Sequence, residues 1–241
     1  MLGLKLPMSI DLRQFAFAAA LLPFPWLAIA AEPVRQIGVY VEPYYRSSET
    51  PSGRPQVAVN KVYDALLSSN RRADILAARD SIAADPKLVT PMTLMVLAIR
   101  LYDVGLRDDA VFWFYVAKDR YLVMASVLDV HSPLLAQAND AVGSFATLAG
   151  PIINGYAFCD LAKQKALRAK ALGWVESHPY EVMFMERFPA APGDRAENLR
   201  RAVADAKERA AKERAYVDDP DNVAAMTAAR KQNEADVRFC W

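Results

Sequence analysis

Residues 91–124 read PMTLMVLAIRLYDVGLRDDAVFWFYVAKDRYLVM, two apolar runs parted by a glycine and two aspartates. Thr90 and Pro91 form a helix start. A threonine side chain accepts an orphan first-turn amide, and a proline at the first helical position has no amide to satisfy. Residues 92–104 are strongly apolar, and Gly105 ends the run. Asp108 is expected to cap a second helix from 109 to about 124. Taken alone, Phe112-Trp113-Phe114-Tyr115-Val116 favours a strand. The acidic cap before it and Ala117-Lys118-Asp119-Arg120 after it carry it as helix instead. Apolar residues on every side of both helices predict deep burial.

The pattern continues outward. Apolar positions 57, 59, 62, 63, 66 and 67 make a helical stripe, and 71–84 makes another before Asp85-Pro86. On the other side, Ser132-Pro133 opens a helix over 134–148. Gly150-Pro151 is expected to interrupt it, with a further helix over 152–174. The stretch 142–158 carries no charge, but its glycines, Pro151 and Asn154 make it a buried core segment and not a membrane span. Lys163, Lys165, Arg168 and Lys170 read as a solvated face. Residues 175–193 are turn-rich and connect over the core. From Gly193 the chain becomes Ala-, Arg- and Glu-rich, with spacings such as Glu197–Arg201 and Glu208–Lys212 that suit an exposed helix. Before all of this, Ile37, Val39 and Val41 alternate with Gly38 and Tyr40 as a short strand or extended arm.

Leu94, Leu97-Ala98, Leu101, Gly105, Ala110, Phe114 and Ala117 follow one another at the spacing of a helix–turn–helix repeat. In this the segment 91–124 resembles a tetratricopeptide or Sel1-like repeat, departing from it at Leu122, where a proline is common. The small residues let two helices approach closely. The resemblance implies stacked hairpins with a concave groove that binds peptides or proteins, lined by the first helix of each hairpin. Tyr63, Arg100 and Tyr102 are the groove candidates on that basis. The expected fold is all-α: antiparallel helical hairpins in a bundle or a short TPR-like array, with an extended N-terminal arm. The divisions are 1–30, a signal peptide; 31–55, the arm and a loop; 56–192, the helical core; and 193–241, a charged helical region tied back to it.

The signal reading rests on Lys5 and Arg13, on an uncharged run over 15–30, and on Ala28-Ile29-Ala30, which places cleavage before Ala31 whether the start is Met1 or Met8. The alternative is an uncleaved anchor. Lys plus Arg number 29 and Asp plus Glu 28, a balance that argues against nucleic-acid binding, which needs a basic surface. The two cysteines, Cys159 and Cys240, read as a disulfide of an oxidising compartment. A reactive thiol or a zinc ligand is the alternative, and neither has the neighbours it needs in sequence.

No phosphate loop, G-x-S-x-G or H-E-x-x-H is present. The best local polar group is Glu176, His178, Glu181 and Glu186, a composition ordinary for a connecting loop. No cofactor and no metal is indicated, and no enzymatic role is assigned. The function expected is an exported periplasmic protein-binding module or adaptor. The alternatives are an immunity or inhibitor protein against a toxin, and an envelope hydrolase using two carboxylates.

Overall fold

The computed structural model describes residues 31–47 and 54–241. The expected signal segment 1–30 and residues 48–53 of the expected loop lie outside the described residues. In chain order the elements are β1 (Tyr45–Arg46), β2 (Gln56–Val57), α1 (Asp64–Ser68), α2 (Arg72–Ala84), α3 (Pro91–Asp103), α4 (Arg107–Val127), α5 (Ala136–Ala157), α6 (Leu161–Ser177), α7 (Arg195–Asp218), α8 (Pro220–Gln232) and α9 (Ala235–Phe239). A short 3-10 turn, Glu181–Phe184, lies between α6 and α7. The fold is an all-α bundle with one two-stranded antiparallel ribbon, β1–β2, among the described residues.

The helices α3 and α4 are its centre. The Thr90 hydroxyl accepts the Thr93 amide at 3.1 Å, and Pro91 occupies the first turn. Every residue of α3 from Pro91 to Tyr102 is buried. Gly105, at φ +80°, turns the chain into α4, a conformation that disfavours a side chain. The cap of α4 is Leu106 and not Asp108. Asp108 faces outward instead, accepting from the Tyr156 hydroxyl at 2.7 Å with Lys163 at 3.2 Å. Around this pair, α5, α6 and α7 pack on α4, and α2 and α5 on α3.

Three expected boundaries move. The stripe over 57–67 is helical only from Asp64. Val57 is held in the ribbon opposite Tyr45, and the Asp64 carboxylate accepts the amides of Val59 and Asn60 at 2.7 and 2.8 Å. Such side-chain bonds offer the backbone an alternative to helix. Gly150-Pro151 does not interrupt α5. Pro151 is exposed and so is Thr147, whose carbonyl loses its partner, so that carbonyl faces water. Gly150 meanwhile lies inward, where a Cβ would sit 3.4 Å from the Phe114 ring. The real break is at 158–160, where Asp160 caps α6 through the Lys163 amide at 2.9 Å.

The basic run of α6 is not simply a solvated face. Arg168 is buried and binds Asp119 of α4 at 2.5 and 3.1 Å and Glu213 of α7 at 2.6 Å. Lys165 reaches Asp218 at 2.6 Å. On α7, Glu208 pairs with Lys212 as spaced, while Glu197 takes Arg200 and leaves Arg201 to Asn198.

The arm lies on the body. Ile37 and Val41 are buried without joining a ladder. The Ile37 amide donates to Asp103 at 2.7 Å, and the Tyr102 hydroxyl donates to the Val34 carbonyl at 2.9 Å. At the other end, Cys159 and Cys240 form a disulfide, Cα–Cα 5.6 Å, which ties the tail to the α5–α6 junction. No helix among the described residues is long and apolar enough to cross a membrane.

Candidate functional site

The residues selected for a groove do not share one: Arg100 borders a small polar cleft of about 260 Å³ with Asp103, Arg54 and Asn70, to which Tyr63 and Tyr102 do not contribute. Tyr63 is half-buried at the start of α1. Tyr102 is fully buried under the arm. Arg100 is 2% exposed, and its donors are engaged: Nε with the Leu67 carbonyl at 2.9 Å, Nη1 with Asp103 at 2.6 Å, and Nη2 with the Ser69 carbonyl at 2.7 Å and Asn70 at 3.1 Å. Asp103 also accepts Arg54 at 3.0 Å. Burial pushes the Asp103 carboxyl up to about 6, against the pull of the Ile37 amide and Arg54. These residues join α1, α3 and the arm, and the donors of Arg100 are spent on that joint.

The polar group of the 175–193 connection is also dispersed. Glu176 pairs with Lys207 at 2.6 Å and Glu181 with Lys87 at 3.4 Å. His178 stacks on Trp174, centroids 4.4 Å apart, with Nδ1 2.8 Å from the Trp174 carbonyl. Glu186 is exposed. Among the described residues no three His, Cys, Asp or Glu side chains are grouped to hold a metal.

Beneath His178 lies Arg120, 1% exposed, which donates to the carbonyls of Pro86, Val89 and His178 at 2.8, 2.9 and 3.0 Å. Its guanidinium lies 4.8 Å from the Trp174 ring and 5.4 Å from that of Tyr180. Burial lowers Arg120 to about 10. Together Arg100, Arg120 and Arg168 are fasteners: each serves atoms of other elements.

A groove between α4 and α5 has a cavity volume of about 800 Å³. Its walls include Met95, Tyr121, Leu122, Val142, Gly143 and Leu148. Lys118 and Asp140 put one charge of each sign at its edge. The Tyr121 hydroxyl donates to Asn139, fixing the ring against α5. Leu148 is 53% exposed, and Gly143, Ala146, Thr147 and Pro151 are exposed beside it. Such a trough offers apolar contact, with no activated nucleophile or acid–base pair in its wall.

The sequence signal for it was the uncharged run 141–159. That run was assigned wholly to the core because composition alone does not tell a helix buried all round from one with a bare apolar face. The groove's other wall, Tyr121 and Leu122, comes from an α4 turn that looked like ordinary helix interior.

The chain belongs to the same family as an uncharacterized protein of Haemophilus influenzae. The two are 33% identical over 230 residues, covering 95% of this chain and 88% of that one. No family model matches the chain, and no solved structure matches it.

Proposed function

We propose that this protein is an exported helical binding module whose α4–α5 groove receives an apolar segment of a partner protein. The observation that carries this is the outward face of α5. From Ala141 to Ala157 it carries no charged residue, whereas α7 is dense in ion pairs. Exposed apolar patches beside a concave trough mark interaction sites. The edge charges Lys118 and Asp140 suit a segment that is apolar in its middle and polar at its flanks. The tight α3–α4 hairpin, with Ala98, Ala110 and Ala117 fully buried, supports a tetratricopeptide-like use of packed hairpins. The groove nonetheless runs along α4 and α5 and not along first helices. An adaptor and an inhibitor of an envelope enzyme differ in the partner and not in this surface. Export agrees with the disulfide.

A photoreactive residue at Thr147 tests the reading in living cells. A discrete adduct is expected from Thr147 and none from the same probe at Ala204 on α7. Leu148→Glu should keep the fold and weaken the adduct at least about tenfold, since burying a leucine contributes about 1.5–3 kcal/mol. An adduct indifferent to Leu148→Glu, or none from Thr147, sinks the groove reading. Export is tested separately by sequencing the N-terminus of the periplasmic protein, which should begin at Ala31.

A further inference from the structure

The surroundings of the Cys159–Cys240 bridge exceed what a structural staple needs. Both cysteines are exposed. Arg230, reaching from α8, places Nη2 3.0 Å from Cys240 Sγ and 3.4 Å from Cys159 Sγ. The guanidinium is held from two other sides: Nη1 donates to the Gly155 carbonyl at 3.0 Å, and Asp236 accepts Nε and Nη2 at 3.1 and 2.8 Å. A neutral disulfide gains little from a fixed cation. A thiolate gains a charge-assisted hydrogen bond and a lower pKa. Beside the bridge lies a cleft of about 280 Å³ bordered by Asp108, Tyr156, Asp160, Lys163 and Trp241. Asp236 Oδ1 also lies 3.5 Å from Cys240 Sγ and opposes a thiolate there, but Arg230 stands closer to that sulfur and is paired with the same carboxylate, so the cation remains the nearer charge for an opened bridge.

We infer that Cys159–Cys240 is a thiol–disulfide exchange site for an external dithiol. The entering thiolate attacks Cys159 Sγ and forms a new S–S bond there. The Cys159–Cys240 bond breaks, and its electron pair stays on Cys240 Sγ, the sulfur closer to Arg230. The second thiolate of the reductant then attacks the mixed disulfide at the reductant's own sulfur and frees Cys159. The reductant leaves oxidised by two electrons, and its two protons are balanced by the two cysteine thiols or by solvent. In the cleft Lys163 pairs with Asp108 at 3.2 Å, and Asp160 accepts the Lys163 backbone amide.

The opening has a consequence for the fold. The tail that carries Cys240 also holds the start of the arm: the Arg238 carbonyl accepts the Val34 amide at 2.8 Å. Trp241 lies between Arg35 and Arg107, 4.4 and 3.5 Å from its ring. Phe239 rests on Gly155 so closely that a Cβ there would stand 2.6 Å from the ring. Exchange at the bridge releases this clasp and frees the arm from its first residues.

The test uses the oxidised full-length protein without denaturant. With glutathione as probe and acid quenching, peptide mass spectrometry should find the mixed disulfide on Cys159. Finding it on Cys240, or finding no exchange until the protein is denatured, overturns the proposal. Arg230→Gln should slow reduction by dithiothreitol about three- to tenfold through loss of thiolate stabilisation, with Arg230→Lys nearer the unaltered rate. A rate in Arg230→Gln equal to or above that of the unaltered protein removes Arg230 from the step. Hydrogen exchange completes it: the Val34 amide should lose protection on reduction, and retained protection there overturns the clasp.

Discussion

Arg120 faces no carboxylate among the described residues, yet it is 1% exposed. Its charge is met by three carbonyl oxygens and two aromatic faces, and Nε has no hydrogen-bond partner. Two of those carbonyls, of Pro86 and Val89, follow α2, and the third, of His178, follows α6. One side chain thus satisfies the Val89 and His178 carbonyls and shares that of Pro86 with the Val89 amide, 3.2 Å away. Arg120→Met keeps much of the volume and leaves the Val89 and His178 oxygens without this donor. At about 1–3 kcal/mol for each of these buried unsatisfied groups, the loss should be at least about 2 kcal/mol. A denaturant melt reads it directly; a midpoint unchanged from the unaltered protein would mean that water replaces the guanidinium. None of this was legible in the sequence. Arg120 appeared there only as a polar residue confirming a helix, because its acceptors lie 34, 31 and 58 residues away. Arg100 misled for the same reason: a charged side chain on an apolar helix suggests a groove, and its partners 30 to 33 residues away show that it is a fastener.

Elements with local signals were legible and elements with distant ones were not. The Thr90–Pro91 start and the Gly105 turn act on their own neighbours, and each stands where the sequence places it. Pro151 has a local meaning too, but exposure of its side of α5 lets water take the orphaned carbonyl, so the helix continues. The helix α7 shows the converse. Its charged composition suggested a solvated appendage, while Ala202, Ala206 and Val217 are buried and its carboxylates reach other helices. Glu213 bridges Lys118 of α4 and Arg168 of α6 at 3.1 and 2.6 Å. Burial opposes its charge, but Lys118 and Arg168 outweigh burial and hold its carboxyl below the ordinary 4.5. A carboxyl lowered in the folded state contributes stability above its unfolded pKa and loses it as pH falls through the folded one. The melting temperature of the unaltered protein should therefore exceed that of Glu213→Gln at pH 7. The difference should close below about pH 4. Asp119, which burial raises, also feels the Glu213 charge and shares Arg168 with it, so the difference reads the Glu213–Arg168–Asp119 cluster as a unit. A gap constant down to pH 3 would assign the effect to packing.

At the scale of the molecule, the arm, Arg54 beside β2 and the α3–α4 core meet around the C-terminal end of α3, and Asp103 is the group they share. It accepts the Ile37 amide from the arm, Arg54 from the strand side and Arg100 from its own helix, and its side chain is 2% exposed. The arm's other ties are the Val34 bonds to Tyr102 and to the tail and a few buried apolar side chains. Its ribbon is two residues on each strand, far short of an independently stable sheet. Its apolar residues are few enough that burying them must be reinforced by polar anchoring. Asp103→Ala removes the acceptor and leaves Arg100 buried with an uncompensated charge, a situation that typically costs about 3–5 kcal/mol. Two effects should follow together. The Ile37 amide should exchange at nearly the rate of an unfolded chain, and protease should cut within 31–47. The helical circular dichroism should persist, because α3 and α4 pack on each other and on α5, α6 and α7 without the arm. Global unfolding in place of this local release would mean that the arm is part of the cooperative core. Retained protection at Ile37 would mean that the disulfide-tied tail, through Arg238 and Val34, suffices to hold it.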